Sequence, residues 1–580
     1  MSEKLMLGNE AVARGAWEAG VHVVSSYPGT PSTEITENCA QYPEIYTEWA
    51  TNEKVALEVC AGASVAGARA MCCMKHVGVN VAADPLYTAA YTGVNGGLVV
   101  VCADDPGMHS SQNEQDSRYH ALASHVMMVE PSSSQECKDF TKLAFALSER
   151  FDTPVMVRTT TRIAHARSRV ELGEREEAAV KPYQKDAKKY VMMPAMAKPR
   201  HVAVEKRMVE AAQYAETCPI NQVFPGDKKL GVICAGISYQ YVREAIPQAS
   251  ILKLGLVNPL PRQMIADFAK TVERLVVVEE LEPFMENQIA AWGIQVEGKA
   301  LTGLQGELSA NRVRQIFGQP VPERFPVQDI PGRPPVMCAG CPHRGPFSVL
   351  SRLGYHVTGD IGCYTLGALP PLNALDTTLC MGASVGMAHG FSLAQGEAFG
   401  RKAVGVIGDS TFLHSGIPSL LSAVYNRSHM TLMILDNTIT AMTGHQPNPN
   451  TGLDIHGQQA PQVDLEQLCR GVGVNRVRRV DAFDLKGIET AVREETQAPE
   501  VSVIIAHRPC ALLNKGKAVT PLKIDPVKCR GCLACMKLSC PAMEVGPDRK
   551  VHIDPNQCVG CALCQQTCRF GAIEGAVEEK

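Results

Sequence analysis

The 580-residue chain holds 56 Lys and Arg against 60 Asp and Glu, a formal net charge of −4, with 45% hydrophobic residues, 20% charged residues and a mean hydropathy of −0.06. This composition excludes collagen-like and disordered classes and gives nucleic acid or an anionic membrane no electrostatic footing; at ~150 residues per domain it predicts about four domains. No apolar run approaches the ~20 residues that span a bilayer. The opening Met-Ser-Glu-Lys-Leu lacks a basic segment followed by an apolar core, so the expected compartment is the cytoplasm.

In chain order, residues 1–180 read as α/β: a turn at Tyr27-Pro28-Gly29-Thr30-Pro31-Ser32, an Ala/Gly-rich helical stretch from Glu53 to Ala70, and an apolar run Leu98–Cys102 ending in Asp-Asp-Pro-Gly. A charged stretch from Arg167 to about His201 reads either as a linker or surface excursion or as a solvated helix. Residues 200–315 form a smaller α/β block with strands near Leu230–Ala235 and Leu275–Glu280. Pro320, Pro322, Pro326, Pro331, Pro334 and Pro335 then mark an extended boundary. Residues 335–513 place short β-branched runs (Val404–Gly408, Thr431–Asn437, Ser502–His507) between helical stretches, which predicts a parallel sheet with function at its strand ends. The last block, 520–575, is a cysteine cluster, followed by an acidic tail from Glu574 to Lys580.

Of 22 cysteines, eight fall between residues 529 and 568, and with no secretory signal they read as metal ligands rather than disulfides. The pattern is Cys529-x2-Cys532-x2-Cys535-x4-Cys540-Pro541, repeated as Cys558-x2-Cys561-x2-Cys564-x3-Cys568. In the bacterial ferredoxin pattern, Cys-x2-Cys-x2-Cys supplies three corners of one cubane and the distant fourth Cys ligates the other. Cross-ligation therefore assigns Cys529, Cys532, Cys535 and Cys568 to one [4Fe-4S] cluster and Cys558, Cys561, Cys564 and Cys540 to a second. The extra residue before Cys540, and Arg569 where the second half would carry Pro, lie outside the tight turns. A zinc ribbon would leave half of these thiols idle.

Gly408-Asp409-Ser410 follows a strand, and Asp436-Asn437 ends the next. Asp409, Asn437 and the Ile439 carbonyl could supply hard oxygen ligands to Mg²⁺ on a diphosphate, although a Gly-Asp pair after a strand is also ordinary turn chemistry. The pattern resembles the thiamine-diphosphate motif, with Ser410 in place of its last Gly and Asp436 in place of its first Asn.

Together with the ferredoxin-like tail and the block order, these motifs resemble the 2-oxoacid:ferredoxin oxidoreductases. More narrowly, Tyr27–Ser32, Asn52-Glu53-Lys54, Met74-Lys75-His76-Val77-Gly78-Val79-Asn80, Asp104-Asp105-Pro106-Gly107 through Arg118, and Cys338-Ala339-Gly340-Cys341-Pro342-His343-Arg344 resemble the large subunits of the indolepyruvate ferredoxin oxidoreductases over essentially the whole chain.

The resemblance implies an α/β fold class: doubly wound parallel-sheet domains for thiamine diphosphate (pyrimidine type at 1–180, diphosphate type at 335–513), a small transketolase C-terminal-like α/β domain at 200–315 and a two-cluster ferredoxin domain at 520–575. It implies that Glu53 faces the cofactor's pyrimidine nitrogen, with Glu58 the second choice, and that Thr30, at a turn entering a helix, binds the substrate carboxylate. Lys75 and His76 would face the cofactor, and Tyr364, Gly382, Ala383, Ser384, Gly408, Asp409, Ser410 and Asn437 would bind it. Met381-Gly382-Ala383-Ser384 is placed between helical stretches, where Gly-Ala-Ser can equally mean close helix packing. Asp104 falls where pyruvate-specific relatives have a carboxylate-binding Arg, which argues against pyruvate. Cys338, Cys341, Cys363 and Cys510 would hold a third [4Fe-4S] cluster; spacing alone supports only the Cys338-x2-Cys341 pair, which could also be two reduced thiols at a turn. The other ten cysteines are expected to be buried.

The implied reaction is thiamine-diphosphate-dependent oxidative decarboxylation of an aryl 2-oxoacid such as indole-3-pyruvate, with CoA, to an acyl-CoA and CO₂, electrons passing through the clusters to ferredoxin. A branched-chain 2-oxoacid or phenylpyruvate as substrate, or a non-catalytic electron-transfer subunit, are the alternatives. The four blocks leave no stretch for the gamma-type domain associated with CoA use, so a smaller beta subunit and a heterotetramer around a dimer of this chain are expected, with thiamine bound within one chain or between two. Twelve ligand cysteines at four per cubane predict about twelve irons per chain; iron analysis after anaerobic purification checks this, and a value near eight would remove the third cluster.

Overall fold

Parallel strands covered by helices on both sides must be apolar on both faces, and runs such as Leu98–Asp104 meet that demand. The computed structural model describes residues 2–323, 331–332, 334–514 and 520–575, and the chain divides into two compact units, residues 1–328 and 329–580.

The strands of the first unit are β1 (Glu3–Leu7), β2 (Val23–Ser26), β3 (Tyr46–Trp49), β4 (Ala70–Lys75), β5 (Leu98–Asp104), β6 (Met127–Val129), β7 (Val155–Thr160), β8 (Arg167–Glu171), β9 (Gln222–Phe224), β10 (Asp227–Ala235), β11 (Ala249–Leu254), β12 (Leu256–Asn258) and β13 (Leu275–Val278). Seven form the main sheet in the order β12-β6-β7-β5-β4-β2-β3, parallel except where β12 meets β6. A second sheet runs β13-β10-β11-β9, and β1 pairs with β8. Alternation along β5 sends Val99 and Val101 into one core with Val24, Met71 and Val157. Leu98, Val100 and Cys102 enter the other, with Cys72, Met74 and Met156. That second core continues into Ile233, Leu252 and Val277, and β12 leaves the expected 200–315 block to extend the main sheet.

Two expected elements differ. The helix from Glu53 ends at Val65, because Gly67 turns with φ +105° against the Lys181 carbonyl, and β4 begins at Ala70. The charged stretch from Arg167 is not uniform. It begins as β8, continues as an extended run in which Arg175 donates to the carbonyls of Trp17 and Val21, and enters the helix Pro194–Ala215.

The first unit also buries a charge network. Arg158, 2% exposed, donates to Asp104 (2.6 Å) and Glu130 (2.7 Å), and Arg118 pairs with Asp116 and Glu279, both at 2.5 Å.

In the second unit β14 (His356–Thr358), β15 (Ala403–Gly408), β16 (Thr431–Asp436), β17 (Arg476–Asp481) and β18 (Ser502–His507) form a parallel sheet ordered β14-β15-β16-β18-β17. Val404, Val406, Met433 and Ile504 face one core; Ile407, Leu432, Ile434 and Ile505 face the other. The cysteine-rich tail pairs β19 (Lys523–Ile524) with β22 (Ile573–Glu574) and β20 (Met543–Val545) with β21 (Val551–Ile553), around Leu522, Leu538, Leu563 and Ile573. Pro326 and residues 576–580 of the acidic tail lie outside the described residues, and the other prolines of the boundary lie outside helices and strands.

Removing one partner of a buried ion pair strands the others without compensation. Arg158→Met, which leaves Asp104 and Glu130 buried and unpaired, is expected to destabilise the first unit by about 3–5 kcal/mol, read as a lowered calorimetric transition.

Candidate functional site

In each unit the expected site residues sit at the carboxyl ends of the parallel strands, the edge at which open α/β sheets bind ligands. In the first unit, β2 leads into the turn holding half-buried Thr30, β3 into Glu53, β4 into Lys75 and His76, and β5 into Asp104 and Asp105. Because β2 lies between β3 and β4, chain direction across the sheet reverses there.

Asn52 caps the helix Glu53–Val65, its side chain accepting from Val55 N–H at 2.9 Å, which fixes Glu53 in the first turn. Glu53 is buried, and its carboxylate occupies the space a Cβ on Gly78 would take, 2.7 Å away. Glycine is required at 78 to admit it. Gly29 similarly packs on the Lys75 Cβ. Lys75 donates to the Ser110 carbonyl at 2.5 Å, and the Ser110 hydroxyl reaches the Thr30 carbonyl at 3.4 Å. Burial lowers the Lys75 ammonium to about 8, opposed by the nearby Asp105 carboxylate. His76 is fully buried at the start of the next helix, and burial lowers its pKa, so the neutral ring is favoured. Glu58, the second choice, is exposed and pairs with Lys54. Asp104 is fully buried, accepting from Arg158 and from the Ser117 N–H and hydroxyl.

In the second unit Asp409 and Asn437 end the adjacent strands β15 and β16. The Asn437 amide lies 3.0 Å from Asp409 Oδ1 and 2.9 Å from the Ile439 carbonyl. Turned one way, its nitrogen donates to both; turned the other, three oxygens converge as a hard divalent cation requires. Burial and the neighbouring Asp436 raise Asp409 to about 7, a state that a bound cation would reverse. The residues therefore fit Mg²⁺. Ser410 accepts a hydrogen bond from Thr440 at 2.8 Å. Gly408 is needed because a Cβ there would strike the Tyr364 ring at 2.6 Å, and Tyr364 is anchored through its hydroxyl to Ile361 O and Thr411.

Gly382, in the left-handed region at φ +85°, caps the helix Ala383–Gln395, so Gly382, Ala383 and Ser384 open a helix rather than join two. Sequence reasoning assigned no role to Asp360, which is fully buried and accepts from Ile361, Gly382 and Ser384 N–H at 2.8–3.0 Å. It also missed Asn450, which donates to both Asp409 (3.1 Å) and Asp436 (2.7 Å) from beyond the strand pair. A buried Asp in a Gly-rich turn was the one available signal for the first; none existed for the second.

Cys338, Cys341, Cys363 and Cys510 line one pocket with about 500 Å³ of empty space, and Asn437 lies in its wall. Burial raises Cys341 to about 12 and Cys363 to about 11. Holding them as thiolates calls for positive compensation of the kind an iron–sulfur cluster provides. In the tail, Cys529, Cys532, Cys535 and Cys568 line a second, small pocket, and the Cys564 thiol has Cys561, Cys540 and Cys558 as near neighbours. Of the ten remaining cysteines nine are buried; Cys380, beside Met381-Gly382, is exposed, contrary to expectation.

An Asp and an Asn at neighbouring strand ends, next to a thiol-lined pocket and a two-quartet cysteine tail, fit the class of thiamine-diphosphate oxidoreductases with an iron–sulfur domain. Residues 14–220 match the pyruvate flavodoxin/ferredoxin oxidoreductase thiamine-diphosphate-binding family, 360–506 the C-terminal thiamine-pyrophosphate-binding domain of thiamine pyrophosphate enzymes, and 551–574 the 4Fe-4S binding domain. The chain is 40% identical to indolepyruvate oxidoreductase subunit IorA of Pyrococcus horikoshii, over 98% of this chain and 96% of that one. It is 41% identical to the subunit of the same name from Archaeoglobus fulgidus, over 93% and 92%. A third relative, 2-oxoglutarate synthase subunit KorA of Methanothermobacter thermautotrophicus, is 32% identical over 30% of this chain and 48% of its own. The chain belongs to the indolepyruvate oxidoreductase subunit IorA family.

Asp409→Ala and Asn437→Ala each remove an oxygen from the Asp409–Asn437–Ile439 group. Both are expected to weaken thiamine-diphosphate retention at least tenfold in the presence of Mg²⁺, about 1.4 kcal/mol. The iron–sulfur absorbance of the tail should stay unchanged; calorimetric titration with parallel visible spectra checks both.

Proposed function

We propose that this chain decarboxylates an aryl 2-oxoacid of the indole-3-pyruvate type. In balance, R–CO–COO⁻ and CoA–SH give R–CO–S–CoA, CO₂, one proton and two electrons, which leave singly for a soluble ferredoxin. The observation that carries this reading is the shared position of Asn437: its amide joins the Asp409–Ile439 oxygen group, its carbonyl accepts from Cys510 N–H at 3.0 Å, and it lines the four-cysteine pocket. A cation site and an electron acceptor are thereby one residue apart.

Bound thiamine diphosphate supplies the electron sink for decarboxylation. Glu53 holds a proton at the pyrimidine ring nitrogen, and buried, neutral His76 moves protons nearby. Thr30 and Lys75 orient the substrate carboxylate; Asp409, Asn437 and the Ile439 carbonyl would hold Mg²⁺, which would neutralise the diphosphate. Tyr364, Gly408, Ser410 and the Asp360-braced Gly382-Ala383-Ser384 turn shape the cradle around it.

The proposed division is a pyrimidine-type domain at 1–180, a small α/β domain at 200–315, a diphosphate-type domain at 335–513 and a two-cluster ferredoxin domain at 520–575, with a third cluster on Cys338, Cys341, Cys363 and Cys510. The relatives are each named as one subunit, and we assign this chain a smaller partner subunit associated with CoA use, in a cytoplasmic heterotetramer built on a dimer of this chain. Among the described residues no helix is long and apolar enough to cross a membrane.

The test is anaerobic turnover of the chain with its partner subunit on indolepyruvate, phenylpyruvate and pyruvate, with and without CoA. Preference for the aryl acids and CoA-dependent electron release support the reading; absence of bound thiamine overturns it. Glu53→Gln is expected to lower kcat by about 10²–10⁴ with cofactor still bound. Because Lys75 loses its proton as pH rises through about 8, the KM for the 2-oxoacid should rise above that pH, and Lys75→Arg should flatten the profile.

A further inference from the structure

Arg344 closes the Cys338–Arg344 turn and opens the helix Arg344–Leu353. Its side chain is 1% exposed. The guanidinium donates to the carbonyls of Met337 and Cys338 (3.1 Å) on its own segment and to those of Leu538 (2.8 Å) and Ser539 in the cysteine-rich tail. The titratable groups beside it are thiols: Cys341, Cys540, Cys561 and Cys338.

Buried guanidinium groups are ordinarily paired, as Arg118 and Arg158 are with carboxylates. Among the described residues Arg344 has no carboxylate within ion-pair distance. Carbonyl dipoles satisfy its N–H groups without neutralising its charge, so the compensating negative charge has to come from the thiolates on either side. The contact is close there as well. A Cβ on Gly340 would lie 2.3 Å from the Val559 side chain, and Val559 sits between Cys558 and Cys561. Gln566 fastens the same face, accepting from Leu485 N–H at 3.0 Å and donating to Phe483 O at 2.7 Å. The other tail quartet lines its own pocket, and its Cys532 is exposed.

We propose that Arg344 is a positioning residue for electron handover between the Cys338/Cys341/Cys363/Cys510 quartet and the Cys540/Cys558/Cys561/Cys564 quartet. It clamps the two segments together and places an otherwise unbalanced positive charge between them. That charge favours the reduced, more negative state of the facing clusters and so raises their reduction potential. The electron leaves one cluster and enters the next with no bond made or broken and no proton moved. The Cys529/Cys532/Cys535/Cys568 quartet, which lines its own pocket, is then the exit. This inference rests on the cluster reading given under Proposed function.

The test uses the full chain with its partner subunit, purified anaerobically as wild type, Arg344→Lys, Arg344→Met and Arg344→Gln, with iron analysis and redox titration followed by electron paramagnetic resonance. Iron should stay near the wild-type value in all. In Arg344→Met and Arg344→Gln at least one cluster should become harder to reduce, its reduced-to-oxidised ratio at fixed potential falling about tenfold, a negative shift of about 59 mV for one electron. Arg344→Lys should remain near wild type. Full iron with unmoved potentials overturns the proposal, as does equal iron loss in all three variants, which would leave Arg344 a structural clamp only. An iron-free wild type would instead remove the cluster reading itself.

Discussion

Parallel pairing of β15 with β16 is the constraint on which the second unit's chemistry depends. It sets two strand ends side by side, so that an Asp leaving one and an Asn leaving the other bring the Asn437 amide within about 3 Å of the Asp409 carboxylate, where its nitrogen can donate or its oxygen can share a cation. The surrounding structure keeps them there: Asn450 ties Asp409 to Asp436, His507 holds the other oxygen of Asp436 at 2.6 Å, and Tyr364 fills the space that Gly408 leaves open. Rigidity at this point is what a diphosphate-bound cation needs, because Mg²⁺ tolerates little departure from its preferred geometry.

The first unit meets a different demand with the same edge. Its strand ends gather Thr30, Glu53, Lys75 and His76, while directly behind them Asp104, Arg158, Glu130, Asp116, Arg118 and Glu279 form ion pairs sealed from water. Four carboxylates share two guanidinium groups there, and burial raises the Glu279 pKa, which lessens the excess of negative charge. Lys75, by contrast, lies closer to solvent and is held by a carbonyl rather than a carboxylate, which leaves its positive charge available to an incoming anion.

What the sequence made legible was local. The Cys-x2-Cys spacings, the Gly-Asp pair after an apolar run and the doubly apolar strands each act within a few residues, and they located the sheets, the tail and Asp409. What stayed hidden depends on distant partners. Asn450 reaches Asp409 across 41 residues, and Arg344 reaches Leu538 across 194. The partner of Asp104 was hidden for the same reason, since Arg158, which donates to it, lies 54 residues on. Cys380 failed the rule that spare cysteines are buried because it immediately precedes the turn around Gly382, where the chain surfaces before entering its helix.

The strand β12 has an effect on how the first unit holds together. Leu256 and Asn258 cover the edge of β6, and Asn258 also donates to the Val126 carbonyl at 2.7 Å. A polypeptide ending near residue 180 would leave that edge as an unpaired row of amides and carbonyls, a template for pairing with other chains. The two α/β blocks of the first unit therefore share one fate. A joint cut between them would uncover the β6 edge that β12 protects.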